Sequence, residues 1–441
     1  MVSSQNELES LGPESPSSRP HLARFLKTQT WIHPVIILGP LFLLLFFNGN
    51  PLDFRFQMPT LFGVAVLLLM VGPALQSAIA ALIGLSLPLR ARDSLHSAPD
   101  LRRLRRLYIC VVSKGVNQDA LRRTYHSLLP LLDERMQLDI VTDLPVDLPH
   151  IQVPDSFQPR HAKFKARALE YYRQLMDFSE ADWVLHLDEE TVVDRDGLEA
   201  CIRFCLRSPH LMGQGIVFYN NHAFWSHRLI AVADAIRTGD DLGRFFAQFA
   251  WINKPIFGVH GSFLLVNGAI ENEVTWDLPG YLVEDYAFSV KYMQLGYTCG
   301  HIDGYAREQS PLTLLDFLKQ RRRWIVGIRS LSYESLWPAY WATLWQMAPF
   351  ARVLAIAGTL TGFGPWWFVL SAKFSFCTYL YLYLLGMLVQ DVDRKTPAPL
   401  MAWHLLQVVV FFPFAMMLDT LGVAWAIVTP GKSLAFQVVR K

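Results

Sequence analysis

Apolar residues fall into two regimes along this chain: long runs without charge towards both ends, and short segments of strand or helix period between them. Residues 28–52 and 56–89 contain no Asp, Glu, Lys or Arg, and each run exceeds the ~20 residues needed to cross ~30 Å of hydrocarbon. Residues 353–372 and 374–390 form two further apolar runs, and residues 397–429 a third, interrupted by Pro413 and Asp419. Taken singly, each could be a buried core helix. Two before a polar block and several after it predict membrane spans.

The middle of the chain has the rhythm of an α/β domain. LYICVVS (107–113) predicts a buried strand and ALRRTYHSLLPLL an amphipathic helix. LDIVTDLP predicts a second strand ending at Asp143, HAKFKARALEYYRQLM a helix, and ADWVLHLDEET a strand running into an acidic turn. Strands alternating with helices predict a largely parallel sheet covered on both faces. Ligands of such sheets bind beyond the carboxyl ends of the strands, where Asp143 and Asp188 fall.

Composition agrees with a chain of two natures. It is 52% hydrophobic yet 18% charged, too greasy for an ordinary soluble enzyme and too charged to lie wholly in lipid. The net charge of +2 gives no reason to expect nucleic acid. Arg19, Arg24 and Lys27 precede the first run, and Arg90, Arg92, Arg102, Arg103, Arg105 and Arg106 follow the second; basic flanks mark the cytosolic side. Five cysteines without a CxxC pair predict reduced thiols, and Cys201 and Cys205, one helical turn apart, have no His partners for zinc. The Ser- and Pro-rich start lacks the pattern of a cleaved signal peptide and is expected to be disordered. The expected organisation is a cytosolic tail (1–27), two spans (28–89), an α/β domain (104–312), an interfacial amphipathic helix region (313–345), C-terminal spans (350–430) and a cytosolic tail (431–441).

Three segments carry candidate chemistry. In HLDEET, an extended backbone would project Asp188 and Glu190 together with Glu189 opposed. Two carboxylates on one side suit a hard cation such as Mg²⁺ or Mn²⁺ completed by substrate phosphates, although a solvated turn capping a helix would look the same. Glu284 and Asp285 open an amphipathic helix, where acids are favoured in any case and where one could be a general base. In LLDFLKQRRRWIVG, apolar residues recur at helical spacing and predict a helix along the membrane surface. That does not account for Gln320 and Trp324. Arg323 can make two parallel bonds to a phosphate, and Trp324 offers a flat wall to a sugar ring.

In this order, Asp143, Asp188-Glu189-Glu190, Glu284-Asp285 and Gln320-Arg321-Arg322-Arg323-Trp324 resemble the family 2 glycosyltransferases of GT-A fold. The wording HLDEET, VEDYAF and SPLTLLDFLKQRRRW is most similar to the egghead-type β-1,4-mannosyltransferases, and FKARAL to the helix start that carries a lysine in that family. The resemblance implies a GT-A (Rossmann-like) α/β domain with flanking transmembrane helices. It implies a nucleotide-sugar donor, GDP-mannose or a UDP-sugar, and a membrane lipid-linked acceptor such as glucosylceramide.

Carried over position by position, Asp143, Lys165, Asp188 and Arg323 bind the donor, and Asp188 and Glu190 hold Mn²⁺ or Mg²⁺. Glu284 and Asp285 form the catalytic pair with Asp285 as base, and Gln320 and Trp324 border the acceptor and sugar. Glu190 departs from the usual second Asp. Val439 in FQVVRK replaces the Thr of a gating segment found in membrane-bound synthases. The implied reaction is inverting transfer on the cytosolic face of an endoplasmic reticulum, Golgi or plasma membrane. A processive polysaccharide synthase would share these motifs, and a phosphoinositide-binding scaffold would use only the basic helix.

Overall fold

Strand β1 (Arg106–Ser113) shows how the sequence builds two cores at once. Successive side chains of a strand point to opposite faces. Leu107, Ile109 and Val111 pack on one face against Leu121 and Leu128 of helix α2 (Gln118–Leu128) and Leu198 and Phe204 of helix α4 (Arg195–Arg207). Tyr108, Cys110 and Val112 pack on the other against Leu169 and Tyr172 of helix α3 (Lys165–Met176). The computed structural model describes residues 60–86, 98–331 and 336–429, with 39, 40 and 95. The first apolar run, apart from 39 and 40, and the tail with Val439 lie outside the described residues.

Strands β2 (Met136–Thr142), β3 (Ile151–Gln152), β4 (Asp182–Asp188), β5 (Val192–Val193), β6 (Met212–Phe218), β7 (Leu264–Asn267) and β8 (Cys299–Arg307) complete an eight-stranded sheet, in the order β3-β2-β1-β4-β7-β6-β8-β5. The expected α/β layout with both faces covered is present. The sheet is largely parallel, as expected: β6 and β8 are parallel to each other and run in the direction of β1, β2, β3 and β4, and only β5 and β7 are reversed. β7 is antiparallel to both β4 and β6, and β5 to β8. The reason lies in the chain path. The segment before β7 ends beside the carboxyl edge of β4, so His186 pairs with Leu264 and Trp183 with Asn267.

A helical layer is fastened to this sheet. Helix α5 (Arg228–Asp240) packs on helix α10 (Trp366–Asp393), with backbones nearly touching. A Cβ at Gly386 would lie 1.8 Å from the Ala235 carbonyl oxygen, and one at Gly239 2.4 Å from that of Leu382. Glycine on both sides lets the helices close. Gly386→Val is therefore expected to destabilise the protein by about 1–3 kcal/mol or to prevent folding, because an overpacked helix contact must spread. Thermal unfolding in detergent measures it, and an unchanged midpoint would contradict the contact.

Helix α1 (Leu61–Ser86) realises the second apolar run. Helix α10 and helix α11 (Ala398–Val428) are long and apolar enough to cross a membrane. Helix α8 (Leu314–Arg329) begins where the Thr313 side chain accepts from the Asp316 N–H. Much of its stripe packs on protein. Phe317, Ile325 and Ile328 are buried in protein, and helix α11 is its main neighbour; Leu315 is exposed. A stripe of helical period states only that something apolar covers it, and here other parts of the chain do. All five cysteines are free and buried, in line with the expected reduced thiols.

Candidate active site

Lys165 draws the site together. Phe164, before it, has φ +55°, a region that bulky residues occupy only under strain of about 1–3 kcal/mol. This turn starts α3 abruptly and aims the first side chain of the helix at the carboxyl edge of the sheet. There the Lys165 ammonium pairs with Asp188 at the end of β4, donates to the Gly261 carbonyl at 2.9 Å and lies 3.6 Å from Glu284. Burial by itself would lower its pKa, but Asp188, Glu284 and Asp285 raise it above the ordinary lysine value. One cation thus ties three separate segments into one wall.

Glu284 and Asp285 open helix α7 (Glu284–Gln294). The Tyr286 N–H donates to Asp285 Oδ1 at 2.8 Å. Burial, and then the Glu284 charge, push the Asp285 carboxyl up to about 6 against the pull of Lys165 and His260. A carboxylate with that value is ionised at neutral pH yet basic enough to take a proton. Gly261 gives this grouping its room: a Cβ there would come within 3.0 Å of Lys165 Nζ and 3.1 Å of Asp285 Oδ2.

β4 ends at Asp188 and a turn follows, closed by a bond from the Thr191 N–H to the Asp188 carbonyl. The strand alternation predicted through Glu190 therefore does not extend past Asp188. Glu189 still differs from its neighbours. Its carboxylate accepts from Ser113 Oγ and Asn117 Nδ2, and burial, then repulsion from Glu190, push it up to about 7. Asp143 follows β2 and pairs with Arg167 at 2.8 Å.

The three consecutive arginines of α8 take three directions, as about 100° per residue requires. Arg321 turns inward: Nε donates to Asp419 at 2.8 Å, one terminal nitrogen to Asp234 at 2.7 Å and the other to Gln320 at 2.9 Å. Arg322 donates to Thr429 and lies over the Trp425 ring. Arg323 lines the cavity, as does Arg321.

All nine residues singled out from the sequence, Asp143, Lys165, Asp188, Glu190, Glu284, Asp285, Gln320, Arg323 and Trp324, line one cavity of about 320 Å³, within the range of small-ligand sites. The sequence reading missed other parts of its wall. Arg237, Asp241 and Arg244 come from α5 and a π-helical turn (Asp241–Phe245), a deviation common at functional sites. His260 bonds Asp241 at 2.7 Å and stacks on Phe245. Arg352 and Asp419 come from helices α9 (Leu336–Thr361) and α11. None of these belongs to a motif, and only Asp419 stood out, as an acid in an apolar run.

Asp188 and Glu190 both line the cavity, with Asp188 paired to Lys165, and no group of three or more His, Cys, Asp or Glu poised to hold a metal occurs among the described residues. Two carboxylates are the kind of oxygen donor that a hard cation takes when its remaining ligands come from elsewhere.

The family model described as "Glycosyl transferase family group 2" matches residues 183–426, more than half of the chain, and the chain belongs to that family. Among curated proteins it is 34% identical over 248 residues to "Beta-1,4-mannosyltransferase egh" of Drosophila melanogaster, covering 52% of this chain and 54% of that one. It is 36% identical over 206 residues to "Beta-1,4-mannosyltransferase bre-3" of Caenorhabditis briggsae, covering 44% and 45%. The chain spans about half the length of the curated relatives it matches. Among solved structures, a mannosyltransferase from Pyrobaculum calidifontis in complex with GDP-Man and Mn²⁺ aligns at 14% identity and a TM-score of 0.42, over 81% of this chain and 98% of that one.

Proposed function

We propose that this protein is an inverting hexosyltransferase that moves mannose from GDP-mannose to a membrane lipid-linked acceptor such as glucosylceramide, forming a β-linkage. The observation that carries the reading is the convergence of four distant segments on one cavity, with an acid suited to be a base beside a buried lysine. The identity to curated β-1,4-mannosyltransferases supports the choice of sugar.

In this reading Asp143 takes the nucleoside, while Lys165 and Arg323 meet the diphosphate. Asp188 and Glu190 would hold Mn²⁺ or Mg²⁺, which would neutralise charge developing on the leaving phosphate. Asp285 accepts the proton of the attacking acceptor hydroxyl. Attack opposite the leaving group inverts the anomeric centre, so an α-linked donor yields a β-glycoside. Trp324 and Gln320 border the acceptor and the sugar. Helices α10 and α11 anchor the protein in a membrane of the secretory system or at the cell surface, with the sheet domain in the cytosol where nucleotide sugars are available.

A panel of nucleotide sugars, each with and without Mn²⁺ or Mg²⁺, tests the reading with glucosylceramide as first acceptor. Cation-dependent consumption of GDP-mannose and a glycolipid heavier by one hexose are expected. Long products would indicate a processive synthase instead, and transfer from no donor would overturn the reading.

A further inference from the structure

We propose that Asp419 is a positioning residue for the acceptor side of the cavity, acting through Arg321 on Trp324 and Gln320. The proposal rests on the functional reading above and adds a role for a helix outside the sheet domain.

Asp419 is the only Asp, Glu, Lys or Arg in α11. A carboxylate buried among apolar helices is costly unless paired, and this one has two partners on two other helices. Arg321 Nε of α8 donates to one oxygen at 2.8 Å, and Arg352 of α9 donates to the other at 3.1 Å. Well-packed apolar residues would join these helices at least as firmly, so firmness alone does not explain the charges.

The ring they hold does. Arg321 lies 4.4 Å from the Trp324 ring centre and Arg237 4.9 Å from it, contacts that favour a guanidinium over the indole face. Asp234 joins the two cations, 2.7 Å from Arg321 and 3.7 Å from Arg237. Nε and both terminal nitrogens of Arg321 are committed, to Asp419, Gln320 and Asp234. Arg321 is thus a strut that sets the Trp324 ring and the Gln320 side chain. Of the residues assigned to donor and acceptor, it directly contacts Trp324 and Gln320, whereas Asp143 pairs with Arg167 and Lys165 with Asp188.

Asp419→Asn in the full-length protein tests this, with Asp234→Asn as a second variant should the first fail to fold. A ring displacement of about 1 Å lowers productive attack by about 10²-fold. The expected result is a loss of that order in kcat/KM for the acceptor, with the dissociation constant for GDP-mannose within about twofold of the parent. Asp419→Glu is expected to recover part of the loss. In protein labelled with 5-fluorotryptophan, the Trp324 fluorine signal, assigned with Trp324→Phe, should shift in Asp419→Asn while most other tryptophan signals stay. An unmoved Trp324 signal, or donor affinity falling in step with acceptor use, would overturn the proposal. Absence of transfer by the parent protein would overturn the functional reading alone, because the fluorine signal reports the geometry without turnover.

Discussion

Asp285→Asn is expected to abolish sugar transfer, lowering kcat by roughly 10²–10⁴-fold, while nucleotide-sugar binding stays nearly intact. The amide has the same shape and can still accept from the Tyr286 N–H, so the start of α7 should hold. It cannot take a proton. In the parent, Asp285 is flanked by Glu284, Lys165 and His260, and its carboxyl is pushed up to about 6 by burial and by the Glu284 charge. Below that value the acid is protonated and cannot act as base, so kcat/KM should rise with pH through about 6 and level off above it. The residual rate of the Asn variant should lack this limb. Initial rates across pH, with calorimetric titration of GDP-mannose, measure both effects. Loss of nucleotide affinity equal to the loss of rate would remove Asp285 from the role of base.

Lys165→Met should have the second-largest effect, for a different reason. Removing the ammonium takes away a cation offered to the leaving group, a change of roughly 10²–10³-fold in kcat for a preorganised group of this kind. It also leaves Asp188, Glu284 and Asp285 facing one another. Lys165 holds the Asp285 pKa down, so without it the acid limb should move to higher pH. Breaking a buried pair from one side costs about 3–5 kcal/mol, which thermal unfolding would register. Lys165→Arg keeps the charge and should keep the limb near 6. A Met variant with the parental pH profile would mean that the ammonium does not govern the base.

Local pattern made much of this legible. The alternation in LYICVVS assigns Leu107, Ile109 and Val111 to one core and Tyr108, Cys110 and Val112 to the other, because the period of a strand is fixed by its backbone. The acids and the Gln-Arg-Trp segment could be chosen beforehand because each breaks the pattern around it. Less legible was direction. The antiparallel course of β7 depends on where the preceding excursion ends, and no residue of LLVN encodes it. The stripe of α8 was readable as apolar but not as covered by α11, since a hydrophobic period is the same towards lipid and towards protein.

The amino-acid order was thus sufficient for the alternation of strands and helices, the apolar runs and the identities of the chemical groups, because these depend on neighbours within a turn or a strand. Folding alone could decide that Arg321 meets Asp419, Asp234 and Gln320, and that Lys165 meets Asp188, Gly261 and Glu284. It also gave the solitary acid of α11 two arginines. A charge is stabilised by partners a few ångströms away in space, and those partners stand up to about a hundred residues away along the chain.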